Sequence, residues 1–193
     1  KEDKVWLGVT NFNKGMYFQV PDDFKYADSY KFEREQNGVK VNRVPGVCWY
    51  TNLDHGRRHQ SLPLMTLSDN LKFSKHKEIK GKEAYTNYEN YDAIEVPFAA
   101  GIPSDFDGVM GVPISFLDKY SPTQFEIVGM CENKDLYNLK TKFYITAECK
   151  QAYFDKFGKK GTYDLNASGV VFRNGRLEKV YTRVLIKHKN KNK

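Results

Sequence analysis

Val170-Val171-Phe172-Arg173-Asn174-Gly175-Arg176-Leu177-Glu178-Lys179-Val180-Tyr181-Thr182-Arg183-Val184-Leu185-Ile186 is the most legible stretch of the chain. Two β-rich runs, 170–172 and 180–186, flank Asn174-Gly175, the dipeptide that best tolerates the two positive φ angles of a tight hairpin turn. Arg173, Arg176 and Lys179 crowd that turn, so the sequence predicts a basic β-hairpin. A basic tail, 187–193, follows.

At the other end of the chain, the first fifty residues also read as strands. Val5-Trp6-Leu7-Gly8-Val9 and Met16-Tyr17-Phe18-Gln19-Val20 predict an N-terminal hairpin around Asn13 and Gly15. A second hairpin is predicted at Asn37-Gly38, between 30–34 and 39–41, and a third apolar run is Val47-Cys48-Trp49-Tyr50-Thr51. Ser68-Asp69-Asn70 predicts the start of a short helix through Phe73. Tyr85, Tyr88 and Tyr91 recur every third residue, as on a helical turn or an exposed aromatic edge. Further strands are expected at 93–97, 125–129 and 142–146, and helical turns at 114–120 and 147–157. The fold class is therefore α+β, dominated by antiparallel or mixed strands.

The 193 residues carry a net charge of +7, unevenly placed. Residues 1–80 have 14 Lys+Arg against 10 Asp+Glu, 81–130 have 2 against 8, and 131–193 have 15 against 6. A basic last third after an acidic middle suggests two surfaces with different partners, and the basic one suits a polyanion. The 13 Tyr and 13 Phe supply material for a packed core and argue against disorder. No stretch approaches the roughly 18 apolar residues of a membrane span. Three widely spaced cysteines (Cys48, Cys131, Cys149) fit neither a disulfide framework nor a CxxC metal site, and reduced thiols in the cytoplasm are expected.

Motifs that carry chemistry are few. There is no phosphate-binding GxxxxGK[ST], no GxGxxG, no GxSxG and no HExxH. His55 and His59 are four apart, but they lie in a loop with Gly56, Arg57 and Arg58, and no metal site is expected there. Gly158-Lys159-Lys160-Gly161 has the glycine spacing of the loop that clamps a nucleic-acid backbone in KH modules; an ordinary basic turn is the plainer reading. Gly108-Val109-Met110-Gly111 has the same spacing with apolar centres, which points to a tightly packed loop.

Three stretches together resemble the second half of the EcoRI-type family of adenine-specific DNA methyltransferases. They are Arg43-Val44-Pro45-Gly46-Val47-Cys48-Trp49-Tyr50-Thr51-Asn52-Leu53-Asp54-His55, Asn90-Tyr91-Asp92-Ala93-Ile94-Glu95-Val96, and the long run from Asp107-Gly108-Val109-Met110-Gly111 to Gln124-Phe125-Glu126-Ile127. The opening and closing strands match in order and spacing, so the likeness covers nearly the whole chain. It implies N6-methylation of adenine in a short site of double-stranded DNA, with S-adenosylmethionine as donor and the target base flipped from the duplex. It also implies a catalytic Pro-Pro-aromatic motif upstream. None of the seven prolines here adjoins another, so no catalytic or cofactor residue is assigned, and the fragment alone is expected to be inactive. Residues 1–55 are expected to be the last strands of the methyltransferase sheet, completed by the N-terminal hairpin, and 56–193 a target-recognition region. Trp49 or Tyr50, with Asn52 nearby, is expected beside the flipped base; core packing of a strand is the competing reading. Arg57, Arg58, Arg173, Arg176, Lys179 and Arg183 are the candidate DNA contacts. The partners implied are DNA and a cognate restriction endonuclease, with no membrane. A stand-alone nucleic-acid-binding module, using the GKKG loop or the basic hairpin, is the alternative.

Overall fold

The computed structural model describes residues 7–11, 16–45, 48–51 and 56–189. The chain divides into two compact units, Lys1–Leu53 and Asp54–Lys193.

The first unit contains β1 (Leu7–Asn11), β2 (Met16–Gln19), β3 (Glu35–Gln36), β4 (Val39–Val44) and β5 (Cys48–Thr51). The Asn37-Gly38 turn forms as expected, with φ of 51° and 74°, and closes β3 onto β4. Among the described residues β1 and β2 do not pair as the expected N-terminal hairpin. β2 pairs with β4 and β1 with β5, in separate antiparallel sheets. Tyr26 and Tyr30 fix the connection between β2 and β3. The Tyr26 hydroxyl donates to the Val41 carbonyl (2.8 Å), and the Tyr30 hydroxyl accepts the Arg43 N–H (2.7 Å).

The second unit is built around β11 (Arg183–His188), in a four-stranded mixed sheet ordered β6 (Ile94–Glu95), β7 (Met110–Pro113), β11, β8 (Phe125–Met130). β6 runs parallel to β7, and both neighbours of β11 are antiparallel to it. All four residues 183–186 are buried, the pattern of a central strand covered on both faces. This corrects the sequence expectation, which made 180–186 an arm of the terminal hairpin. The hairpin is instead β9 (Val170–Arg173) with β10 (Arg176–Lys179). A two-residue turn, here Asn174 at φ 53° and Gly175 at φ 75°, pairs its immediate flanks.

Helix α1 (Leu67–Phe73) is capped by Thr66, whose hydroxyl accepts the Asp69 N–H, two positions before Ser68. Helix α2 (Thr146–Phe157) forms as read, but 142–145 is its approach, not a strand; the Glu148 carboxylate accepts the Ile145 N–H at 2.9 Å. The 114–120 turns are a 3-10 helix, Ile114–Lys119. Tyr85, Tyr88 and Tyr91 are buried, Tyr88 and Tyr91 in isolated β-bridges, and none lies on a helix or an exposed edge. Their hydroxyls explain the placement: Tyr85 donates to the Gly101 carbonyl (2.6 Å), Tyr88 to Glu95, and Tyr91 accepts the Glu132 N–H. Fully buried Asn90 ties this segment to the hairpin, donating to Ser168 O and accepting from Val170 N–H.

Candidate nucleic-acid interface

The terminal hairpin presents its cations on both faces. Arg173 and Arg176 are cross-strand partners and share one face; Lys179 opposes Val170 on the other. Arg176 is positioned by Glu178 (2.9 Å) and donates to the Asp155 carbonyl near the end of α2. Arg173 is half-buried, and its Nε has no hydrogen-bond acceptor among the described residues. Lys179 lies over the Tyr163 ring at 5.7 Å, and Lys156 over Phe157 at 5.8 Å. Tyr153, Phe157 and Tyr163 form one aromatic cluster, with centroids 4.6 to 6.4 Å apart. The hairpin and the end of α2, joined by the Arg176–Asp155 bond, thus expose cations among rings over more than one face, and Phe172, Phe157 and Phe154 are each about half exposed. The charge of this surface suits a polyanion.

Gly158-Lys159-Lys160-Gly161 belongs to that surface. Gly158 ends α2 in the left-handed conformation (φ 65°), its N–H bonded to the Phe154 carbonyl. Both lysines are exposed, and Gly161 lies against Tyr153, where an added Cβ would meet the ring's Cδ1 at 2.7 Å. Only a three-residue 3-10 turn, Leu165–Ala167, follows. The segment is a helix C-cap with a basic tip, and the two-helix setting of a KH loop is not formed.

Arg183 is not on the surface. It is 8% exposed, and its guanidinium grips the 2%-exposed Glu95 in a fork: Nη2 to Oε1 at 2.6 Å and Nε to Oε2 at 3.1 Å. Tyr88 donates to the same carboxylate, and Arg183 Nη1 donates to Tyr181 O. Burial opposes Arg183's charge, but the hydrogen bonds and charge of Glu95 hold its pKa above the ordinary value. Arg183 is therefore withdrawn as a DNA contact: its donors are spent in the core. Sequence reading missed this network because Glu95 and Arg183 are 88 positions apart.

The other candidates are dispersed. Arg58 sits half-buried in the 3-10 turn Gly56–His59, near Tyr120; burial raises that phenol's pKa and Arg58 partly counters it. The Arg57 side chain and Asn52 lie outside the described residues. Trp49 and Tyr50 are consecutive in β5, in register with Thr10 and Gly8 of β1, and the pairing shifts register between those two positions. Among the described residues no group of three His, Cys, Asp or Glu could hold a metal ion.

Cys131, 1% exposed and beside the Glu95–Arg183 pair, has its thiol pushed from 9.0 up to about 12, by burial first and then by Glu95. A thiol this protonated is a poor nucleophile. Native protein at pH 8 should leave Cys131 unalkylated by iodoacetamide, while urea-unfolded protein is modified, as peptide mass spectrometry would show. Below pH 9 the thiol is protonated in both states. From about 9 to about 12 only the unfolded chain ionises, so this contribution to stability is lost as pH rises through that window.

The sequence profile of the family described as adenine-specific methyltransferase EcoRI matches residues 1–189. The chain belongs to that family of adenine-specific methyltransferases. It is 38% identical over 137 residues to the Type II methyltransferase M.EcoRI of Escherichia coli, covering 70% of this chain and 38% of that protein. It is 35% identical over 149 residues to the Type II methyltransferase M.MpnI of Mycoplasma pneumoniae, covering 75% and 43%. The Type II methyltransferase M.MgeORF184P of Mycoplasma genitalium is 36% identical over 148 residues. The chain spans about two fifths of the length of these relatives. No solved structure matches it.

Proposed function

We propose that this chain is the DNA-engaging, C-terminal part of a site-specific DNA adenine-N6 methyltransferase that uses S-adenosylmethionine. The observation that carries the reading is the family match across 189 residues. In the reaction the adenine amine takes the methyl group from the donor's sulfonium, which becomes a thioether, and the amine loses a proton. The residues of this chain contribute binding and orientation. Arg173, Arg176 and Lys179, with the lysines at the end of α2, contact the phosphates and groove of the duplex. Arg57 and Arg58 add contacts, and Trp49 or Tyr50, with Asn52, lies beside the flipped adenine. A restriction endonuclease that reads the same site is the proposed companion. No helix among the described residues is long and apolar enough to cross a membrane, and work on DNA would place the protein in the cytoplasm.

Removing the hairpin cations tests the assignment. In the full-length protein, R173A/R176A/K179A should weaken DNA binding and flatten the slope of log affinity against log salt by about 0.9 for each phosphate no longer neutralised. Fluorescence anisotropy across a salt series reads both. An unchanged slope would remove the hairpin from the interface.

A further inference from the structure

A second set of cations converges away from the hairpin in sequence. Helix α1 and the turn after it enclose an open cleft of about 500 Å3, lined by Leu67, Leu71, Lys72, Lys80, Lys82 and Glu83. None of the three lysines makes an ion pair among the described residues.

The backbone that carries them is fixed. Ile79 is 2% exposed and anchors the turn against Gly101, where an added Cβ would meet its Cδ1 at 2.8 Å. The His76 ring stacks on Phe98 with centroids 3.6 Å apart. The Lys80 N–H bonds to His76 O at 2.9 Å, and the Gly81 N–H to Leu71 O at 2.8 Å, which joins the turn to α1. Gly81 stands at φ 74°, a conformation that lets the chain reverse there. Lys80 and Lys82, both exposed, therefore flank the same cleft as Lys72 on a fixed backbone.

Two leucines and three lysines, against one carboxylate at Glu83, line the cleft, a mixture that suits a ligand alternating apolar rings with anions. A free phosphate would make no use of the leucines. Deoxyribose against Leu67 and Leu71, with flanking phosphates at the lysines, uses both. We propose that the α1 cleft seats the sugar–phosphate backbone of duplex DNA and contributes affinity without reading sequence. The proposal rests on the DNA methyltransferase reading above.

The experiment compares full-length wild-type protein with K80A/K82A and K80R/K82R, titrated onto a duplex with the recognition site and onto an unrelated duplex over a range of KCl. The alanine variant should flatten the salt slope by about 2, one unit per lysine, equally on both duplexes. The arginine variant should keep the wild-type slope, because charge and reach are retained. An unchanged slope in K80A/K82A, in a protein that still methylates DNA, overturns the cleft and leaves the methyltransferase reading standing. A flattened slope on the cognate duplex alone overturns the sequence-independent role. Wild-type protein that neither methylates DNA nor binds it overturns both readings.

Discussion

Replacing Arg183 by Met is expected to destabilise the protein by about 3–5 kcal/mol, because the change leaves the Glu95 carboxylate buried and unpaired. That is a large share of a domain's typical stability of about 5–15 kcal/mol, so much of the variant should be insoluble or unfolded at 37 °C. The partner change should rescue it. With Glu95 replaced by Leu as well, no charge remains in the core, and a well-packed apolar pair is often as stable as the ion pair it replaces. Urea unfolding of R183M and E95L/R183M checks both. Wild-type stability in R183M would show that the fork between β6 and β11 carries no weight. The same measurement separates Arg183 from the hairpin cations, whose removal should alter DNA binding and leave folding nearly untouched.

Gly111→Ala is expected to cost about 2–4 kcal/mol, combining overpacking with a disrupted buried hydrogen bond. Gly111 in β7 and Gly169 ahead of β9 both face the Tyr88 ring. A Cβ on Gly111 would fall 2.6 Å from the ring's Cε2, and one on Gly169 2.7 Å from its Cδ1. Neither glycine has a positive φ, so space alone demands the missing side chain. A shifted Tyr88 would lose Glu95, the acceptor that also holds Arg183. In a Tyr88→Ala background, where the obstructing ring is gone, Gly111→Ala should cost almost nothing more. The difference between the two backgrounds, measured as a double-mutant cycle, is the prediction. Equal costs in both would contradict it.

Local signals in the sequence held where the chemistry was local. Asn37-Gly38 and Asn174-Gly175 turn as such dipeptides do, and 147–157 is helical because its apolar residues recur at helical spacing. What failed depended on distant partners. The runs 5–9 and 16–20 look like a hairpin, but β1 pairs with β5 and β2 with β4. Val184, Leu185 and Ile186 are as β-prone as Val170 and Val171, and nothing local says that they form the central strand of a different sheet. Three tyrosines at a spacing of three look helical until the acceptors at Gly101 and Glu95 are known. For the candidate site, the place of Arg173, Arg176 and Lys179 on the terminal hairpin was readable because they crowd its turn. Arg183, four residues past Lys179, was indistinguishable from them without Glu95. Lys72, Lys80 and Lys82 escaped notice because only the Gly81–Leu71 bond and the buried Ile79 gather them around one cleft.

If this chain serves methyl transfer to adenine in DNA, the product itself is the most direct thing to measure. Full-length protein incubated with radiolabelled S-adenosylmethionine and unmethylated plasmid should place label on N6 of adenine, at one short recurring sequence when the DNA is mapped base by base. Label on cytosine, or no label in DNA under conditions where the protein is folded, would overturn the proposed function.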